Sequence, residues 1–194
     1  MAMAMQPQSY DKKAWLYAKH RWDYPKPAID QVLATTGIGE DSVVADIGSG
    51  TGSLARHFLP VAKRVYGVEP VFEMRKIADD QLAPNPNFKG VRGSAEETTL
   101  PDASVDLITV GQALHWFDPS RAVPEFRRIL KQDGWVAVLR YSIVEEEVAK
   151  AIEELHRDYP PPTAPINAPV EAFLDAGTMK SFSYTMPRRE DLER

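Results

Sequence analysis

The chain has 194 residues, 43% hydrophobic and 26% charged, which is typical of a globular protein able to bury a core. Its net charge of −5 disfavours nucleic acid and anionic membranes as partners, and no apolar run reaches the ~20 residues needed to cross a bilayer. The absence of cysteine excludes disulfides and thiolate metal sites. Because Met1–Gln8 is also too short for a signal peptide, we expect a cytoplasmic protein.

The first part of the chain, residues 1–40, predicts a helical cap. One helix is expected after Tyr10, and the prolines in Tyr24-Pro25-Lys26-Pro27 mark the entry to a second helix.

Residues 41–143 alternate between short apolar runs and amphipathic segments, which predicts alternating strands and helices. The predicted strands are Val43–Ile47, Arg64–Glu69, Phe88–Arg92, Asp106–Gly111 and Trp135–Ser142. The predicted helices are Ser53–Leu59, Val71–Leu82 and Ser120–Lys131. We expect Pro60 to end the first of these helices and Pro124 to make the first turn of the last one irregular. Asp133-Gly134 predicts a turn into the fifth strand.

Such an alternation predicts an α/β protein with a Rossmann-like, doubly wound, mostly parallel sheet and helices on both faces. Residues 144–194 have a weaker pattern, with a helix over Val144–Asp158, a proline-rich loop and a late strand at Lys180–Met186. We expect this part to supply a substrate-side helix and a partial sheet element. The chain ends after a helix-like Arg188–Arg194, so either the sheet lacks its last strand or the sequence is a fragment.

A glycine-rich segment, Gly48-Ser49-Gly50-Thr51-Gly52, directly follows the first predicted strand. Ligands bind beyond the carboxyl ends of such strands, and glycines let a ligand lie against the main chain. A dinucleotide fingerprint would place its third glycine at Ser53, one residue after Gly52. Glu69 ends the second strand, where a carboxylate can accept hydrogen bonds from both hydroxyls of a ribose. The carboxylate does not distinguish between cofactors that contain ribose, but Ser53 in place of the third glycine disfavours a nicotinamide-dependent oxidoreductase. That oxidoreductase and a non-catalytic cofactor-binding module remain as alternatives.

The segment Asp46–Gly52 resembles the first motif of class I S-adenosylmethionine-dependent methyltransferases. Four more segments resemble that family in the same order, and they are Gly67–Pro70, Gly93–Glu96, Leu100–Asp106 and Ile129–Lys131. The resemblance extends from Val43 to Tyr141 and is to the type 11 methyltransferase domain, and Gln112–Asp118 is similar to the trans-aconitate methyltransferase-like, small-molecule subgroup. It implies S-adenosylmethionine as cofactor, no metal, and a small-molecule acceptor that offers a carboxylate or a hydroxyl.

The resemblance also implies which residues bind the cofactor. They are Arg21, Asp46, Gly48, Ser49, Gly50, Gly52, Glu69, Pro70, Ser94, Ala95, Glu96, Gly111 and Gln112. Many family members have aspartate where this chain has Ser94, and a neutral hydroxyl forms the weaker hydrogen bond. Alternatives remain for three of these residues: Asp46 as a buried capping carboxylate, Glu96 as a helix-start carboxylate and Arg21 as a surface arginine.

His115 is the candidate catalytic residue because its unperturbed pKa lies near neutrality and it follows the fourth strand, close to the expected reacting centre. A histidine packed under the loop is the favoured alternative. Trp116 is interpreted as a packing anchor or as a wall of the pocket.

Overall fold

A computed structural model describes residues 23–82 and 84–141, which form a five-stranded parallel sheet with helices on both faces. In chain order the elements are α1 (Lys26–Thr36), β1 (Val43–Ile47), β2 (Arg64–Val68), α2 (Phe72–Leu82), β3 (Phe88–Val91), β4 (Val105–Gly111), α3 (Pro119–Ile129) and β5 (Leu130–Leu139). This architecture confirms the predicted fold class. Arg21, the first predicted helix and every element predicted after Tyr141 lie outside the described residues.

The strands are ordered β3-β2-β1-β4-β5, and all four neighbouring pairs are parallel. The chain therefore moves outward from β1 to β3 and then returns past β1 to form β4. This reversal leaves a crevice between the carboxyl ends of β1 and β4, the position at which sheets of this kind bind ligands.

Two apolar clusters, one on each face of the sheet, hold the helices in place. Ala45 and Ile47 of β1 point to the face covered by α3, where Phe126 and Ile129 are buried. Val44, between them in the chain, points to the opposite face together with Ile29 of α1. Because successive side chains of a strand point to opposite faces, a strand buried on both sides is apolar at most positions, and the buried Asp46 of β1 is satisfied by hydrogen bonds.

The helix predicted at Ser53–Leu59 is wrong, because the structure forms turns and a short 3-10 helix at Ala55–His57 instead. The Ala55 amide donates to the buried carboxylate of Asp46 at 3.1 Å rather than to a carbonyl one helical turn earlier. The amides of His57 and Phe58 then bond three residues back. The apolar side chains still pack against the sheet, so the sequence shows their burial but not the tighter backbone.

The prediction that Pro124 makes the first turn of this helix irregular is also wrong, since α3 is continuous from Pro119 to Ile129. Asp118 caps this helix, and its carboxylate accepts from the Ser120 amide at 3.0 Å. Pro124 lies on the exposed side of α3, where the carbonyl that loses its amide partner faces water.

The turn predicted at Asp133-Gly134 is a bulge within β5, which already begins at Leu130. Leu130 pairs with Val105 and Trp135 pairs with Leu107, so the intervening residues bulge away from β4. Lys131 Nζ fixes the bulge because it lies 2.8 and 2.9 Å from the two carboxylate oxygens of Asp106. The predicted bounds of the other four strands agree with the structure to within one residue, whereas β5 ends at Leu139 rather than at Ser142.

Glu125 of α3 anchors the connection between β3 and β4. Its carboxylate accepts from the amide and the hydroxyl of Thr98 at 2.7 and 2.6 Å, and from the guanidinium of Arg128 at 2.7 and 2.8 Å. The hydrogen bonds from Arg128 lower the pKa of Glu125 to about 2. The ionised carboxylate therefore stabilises the fold.

Replacing Glu125 with Gln should lower the free energy of unfolding by about 2 kcal/mol at neutral pH, because a charge-assisted network loses its acceptor. Since the pKa is lowered in the folded state, this contribution is complete above the ordinary pKa of 4.5 and is lost as pH falls toward about 2. Urea unfolding at pH 7 and pH 3 measures both effects. Glu97→Gln is the control, since that side chain is exposed and makes no hydrogen bond within the described part. Equal stability of the two variants at pH 7 would contradict the prediction.

Candidate cofactor and active site

The turn after β1 is built on three glycines with left-handed backbone angles, since φ is +68° at Gly48, +55° at Gly50 and +80° at Gly52. The surroundings of the three differ. If a side chain were introduced at Gly48, its Cβ would lie 2.7 Å from the Cβ of Ala113. A Cβ introduced at Gly52 would clash with Leu82 Cδ1. A Cβ on Gly50 would meet no atom of the described residues within 4 Å. Packing therefore excludes a side chain at Gly48 and would displace Leu82 at Gly52, whereas Gly50 faces space that no described residue fills.

Asp46 supports this turn from beneath. The residue is 1% exposed, and its carboxylate accepts from the Ala55 amide at 3.1 Å and from Thr109 Oγ1 at 2.9 Å. It thereby joins β1, β4 and the segment after the glycines. These contacts match the capping alternative given above for Asp46, and they leave its role in cofactor binding as a prediction.

Glu69 lies just beyond β2 and reaches the glycine turn. One carboxylate oxygen accepts from the Gly50 amide at 2.9 Å, and the other accepts from the Val71 amide at 2.9 Å. The residue is 7% exposed, and burial raises the pKa of its carboxyl, partly offset by the two amides and by the charge of Arg75. A carboxylate has about four acceptor positions, so this one keeps about two for a ligand.

The hydrogen bonding of Ser49 indicates whether the turn suits a polar ligand. Its amide donates to the carbonyl of Val68 at 3.1 Å, beside the bond from the Gly48 amide at 2.9 Å. Its hydroxyl oxygen is buried and has no hydrogen-bond partner among the described residues. Because a buried polar group without a partner is costly, this hydroxyl fits a site that a ligand completes.

The segment after β3 is held in a tight turn. Ser94 Oγ accepts from the Glu96 amide at 3.3 Å, and the neighbouring Ala95 is 2% exposed. The Glu96 carboxylate accepts from the Asp118 amide at 2.9 Å, at the start of α3. This contact matches the helix-start alternative for Glu96, and cofactor binding by Ser94 and Ala95 stays a prediction.

The far side of the crevice is formed by the end of β4. Gln112 adopts φ of +56°, a left-handed conformation that is uncommon for a residue other than glycine. Its amide donates to the Leu139 carbonyl and its side-chain nitrogen to the Tyr141 carbonyl, both at 3.1 Å. Beside it, a Cβ on Gly111 would lie 2.3 Å from the hydroxyl oxygen of Tyr24. The glycine therefore lets a buried tyrosine reach the strand end.

His115 and Trp116 lie in a short 3-10 turn, Leu114–Trp116, after β4. Their ring centroids are 5.1 Å apart. Partial burial, and then the positive charge of Arg140, lower the pKa of His115, which favours the neutral ring at pH 7. Trp116 is 50% exposed, so a role as a pocket wall fits it better than a role as a packing anchor.

Comparison with known proteins shows where this arrangement recurs. Residues 45–138 match the family described as Methyltransferase domain. An uncharacterized methyltransferase of Mycobacterium tuberculosis is 36% identical over 126 residues, which cover 65% of this chain and 49% of that protein. The crystal structure of YcgJ from Bacillus subtilis has a TM-score of 0.57 and 31% identity, and the match covers 69% of this chain and 58% of YcgJ. A putative type II methyltransferase from Anaeromyxobacter dehalogenans has a TM-score of 0.56 and 28% identity, over 73% and 61% of the two chains.

The chain carries a methyltransferase domain of the class I, S-adenosylmethionine-dependent family. This confirms the resemblance drawn from the glycine segment and the four segments that follow it. The chain spans about half the length of the curated relatives it matches. Within residues 23–82 and 84–141, no helix has both the length and the apolar character that a membrane span requires.

The methyltransferase domain brings most of the predicted cofactor residues to one edge of the sheet. The glycine turn and Glu69 are in direct contact, Pro70 is exposed beside them, and Gly111 and Gln112 lie across the crevice. Tyr24, from the segment before the proline pair that was expected to belong to the cap, lies at this edge, where its hydroxyl approaches Gly111. Sequence reasoning missed Arg140, because an arginine at the end of a strand gives no signal of its own.

Proposed function

We propose that this protein transfers the methyl group of S-adenosylmethionine to a small molecule that offers a carboxylate or a hydroxyl. The proposal rests on the main chain at Gly50, beside which the described residues leave open space while its amide donates to the buried carboxylate of Glu69. This arrangement lies at the reversal of the strand order, where a nucleoside can be held against bare backbone. Bound S-adenosylmethionine would supply a methyl group already activated on a sulfonium.

Several residues of the domain would hold the cofactor. The free acceptor positions of Glu69 suit the two ribose hydroxyls, and Pro70 would contact the nucleoside beside it. The unpaired hydroxyl of Ser49 would gain a partner from the ligand. Ser94 and the amide of Ala95 would contact the edge of the adenine, as expected from the sequence.

The protein contributes mainly position and desolvation to such a transfer, because the leaving sulfur needs no proton. A carboxylate acceptor also needs no base. A hydroxyl acceptor must lose a proton, and His115 suits that task because its lowered pKa favours the neutral ring at pH 7. In this proposal residues 1–40 cover the cofactor and residues 144–194 contribute to the choice of acceptor.

Two measurements on the full chain test the proposal. Calorimetry should show binding of S-adenosylmethionine and S-adenosylhomocysteine and no comparable binding of NAD. Turnover on panels of carboxylate and hydroxyl acceptors should then release S-adenosylhomocysteine in proportion to methylated product. Binding of NAD alone would reject the proposed cofactor, and cofactor binding without turnover on either panel would favour a non-catalytic module.

A further inference from the structure

An exposed cation lies at the carboxyl end of β5, across the sheet from the glycine turn and Glu69. Arg140 makes no hydrogen bond or ion pair with another residue of the described part. The backbone on both sides of it is fixed, because Gln112 donates to the carbonyls of Leu139 and Tyr141, each at 3.1 Å. Among the residues that the structure describes, Arg140 is thus a charge without an ion-pair partner, on an anchored strand end.

The alternation of β5 determines which face of the sheet Arg140 approaches. Leu139 packs against the cluster under α1 and α2, whereas Val138 packs against the cluster under α3. Arg140 follows the last residue of β5, and the alternation continued by one residue directs it, like Val138, toward the α3 face. Leu114 is buried on that face, and His115 follows it directly in the chain.

His115 and Trp116 border the same region. Partial burial, and then the charge of Arg140, lower the pKa of His115, which agrees with a position of the guanidinium on the side of this ring. Trp116, half exposed, adjoins His115 through a ring contact with centroids 5.1 Å apart. Within the described part of the chain, the region therefore combines a guanidinium without an ion-pair partner, an imidazole that is neutral at pH 7 and an exposed aromatic ring.

We propose that Arg140 binds a carboxylate of the methyl acceptor, with Trp116 as the adjoining wall. This inference rests on the proposed function, in which the glycine turn and Glu69 hold the nucleoside on the β1–β2 side and the acceptor approaches beyond Gly111 and Gln112, from the β5 side. A guanidinium presents two parallel N–H donors that match the two oxygens of a carboxylate. Arg140 is a specificity-determining residue in this arrangement and takes no part in moving the methyl group.

Binding to the full chain saturated with S-adenosylhomocysteine tests the inference without requiring turnover. The probes are aliphatic and aromatic carboxylic acids, each paired with its primary amide, and calorimetry measures their dissociation constants. Wild type should bind at least one acid more tightly than its amide. Arg140→Gln should weaken that binding about tenfold or more, because a hydrogen-bonded charge pair is lost, and Arg140→Lys should restore part of it.

Arg127→Gln is the matched control, since it removes the same charge from an exposed site on the last turns of α3. It should leave the affinity for the acids unchanged, and neither variant should alter the affinity for S-adenosylmethionine. Acids that bind no better than their amides, or equal losses in both variants, would overturn the role of Arg140. Failure of S-adenosylmethionine to bind wild type would instead overturn the proposed function, so the two failures are distinguishable.

Discussion

Gly50→Ala should lower the affinity for S-adenosylmethionine by about 100-fold while leaving the protein folded, because its methyl group would enter space intended for the ligand. Within the described structure that space is empty, and the added Cβ would meet no protein atom within 4 Å. The free energy of unfolding should fall by only about 1–2 kcal/mol, the cost of holding an alanine in the left-handed backbone conformation. Calorimetry measures the affinity, and urea unfolding measures the stability.

Gly37 offers a matched control for this substitution. It ends α1 with φ of +69°, and its Cβ would also meet nothing within 4 Å. Gly37→Ala should therefore cost the same stability and leave cofactor affinity unchanged. Gly52→Ala should be less stable than either, since its Cβ would approach Leu82 Cδ1 to 2.4 Å. Equal cofactor affinity of the Gly37 and Gly50 variants would remove the glycine turn from the site.

The strands were predictable because the fold buries them on both faces. Such a strand needs mostly apolar side chains, and apolar residues dominate both Val43–Ile47 and Val105–Gly111. The position of the cofactor site followed from the same pattern, since a glycine turn after the first strand has one place in a doubly wound sheet.

The wrong predictions, of a helix at Ser53–Leu59 and of a turn at Asp133-Gly134, lie where a contact between residues apart in the sequence determines the local backbone conformation. The Asp46 carboxylate accepts a hydrogen bond from the Ala55 amide, and Lys131 forms an ion pair with Asp106 across the β5 bulge. Neither pairing has a signature in the nearby sequence. Arg140 was missed for a similar reason, because its significance depends on which face of β5 it occupies and on the nearness of His115.

Glu69→Gln should weaken binding of S-adenosylmethionine by about 100-fold, because two charge-assisted hydrogen bonds to the ribose lose their ionised acceptor. The substitution keeps the shape of the side chain but turns one of its two acceptor ends into a donor. That donor would face the amide of Gly50 or Val71, each of which now lies 2.9 Å from a carboxylate oxygen. Glu73→Gln, on the first turn of α2, is the control and should bind normally.

The pH dependence separates the role of Glu69 in the ligand site from its role in the fold. Burial raises its pKa, so it takes up a proton at higher pH than an ordinary glutamate. Cofactor affinity should therefore fall as pH drops through this raised pKa, because the protonated carboxyl is a poorer acceptor. Its contribution to folding has the opposite sign, being greatest below the ordinary pKa and lost as pH rises through the raised one. Glu69→Gln should flatten both dependences, and an affinity profile in this variant as steep as in wild type would assign the titration to another group.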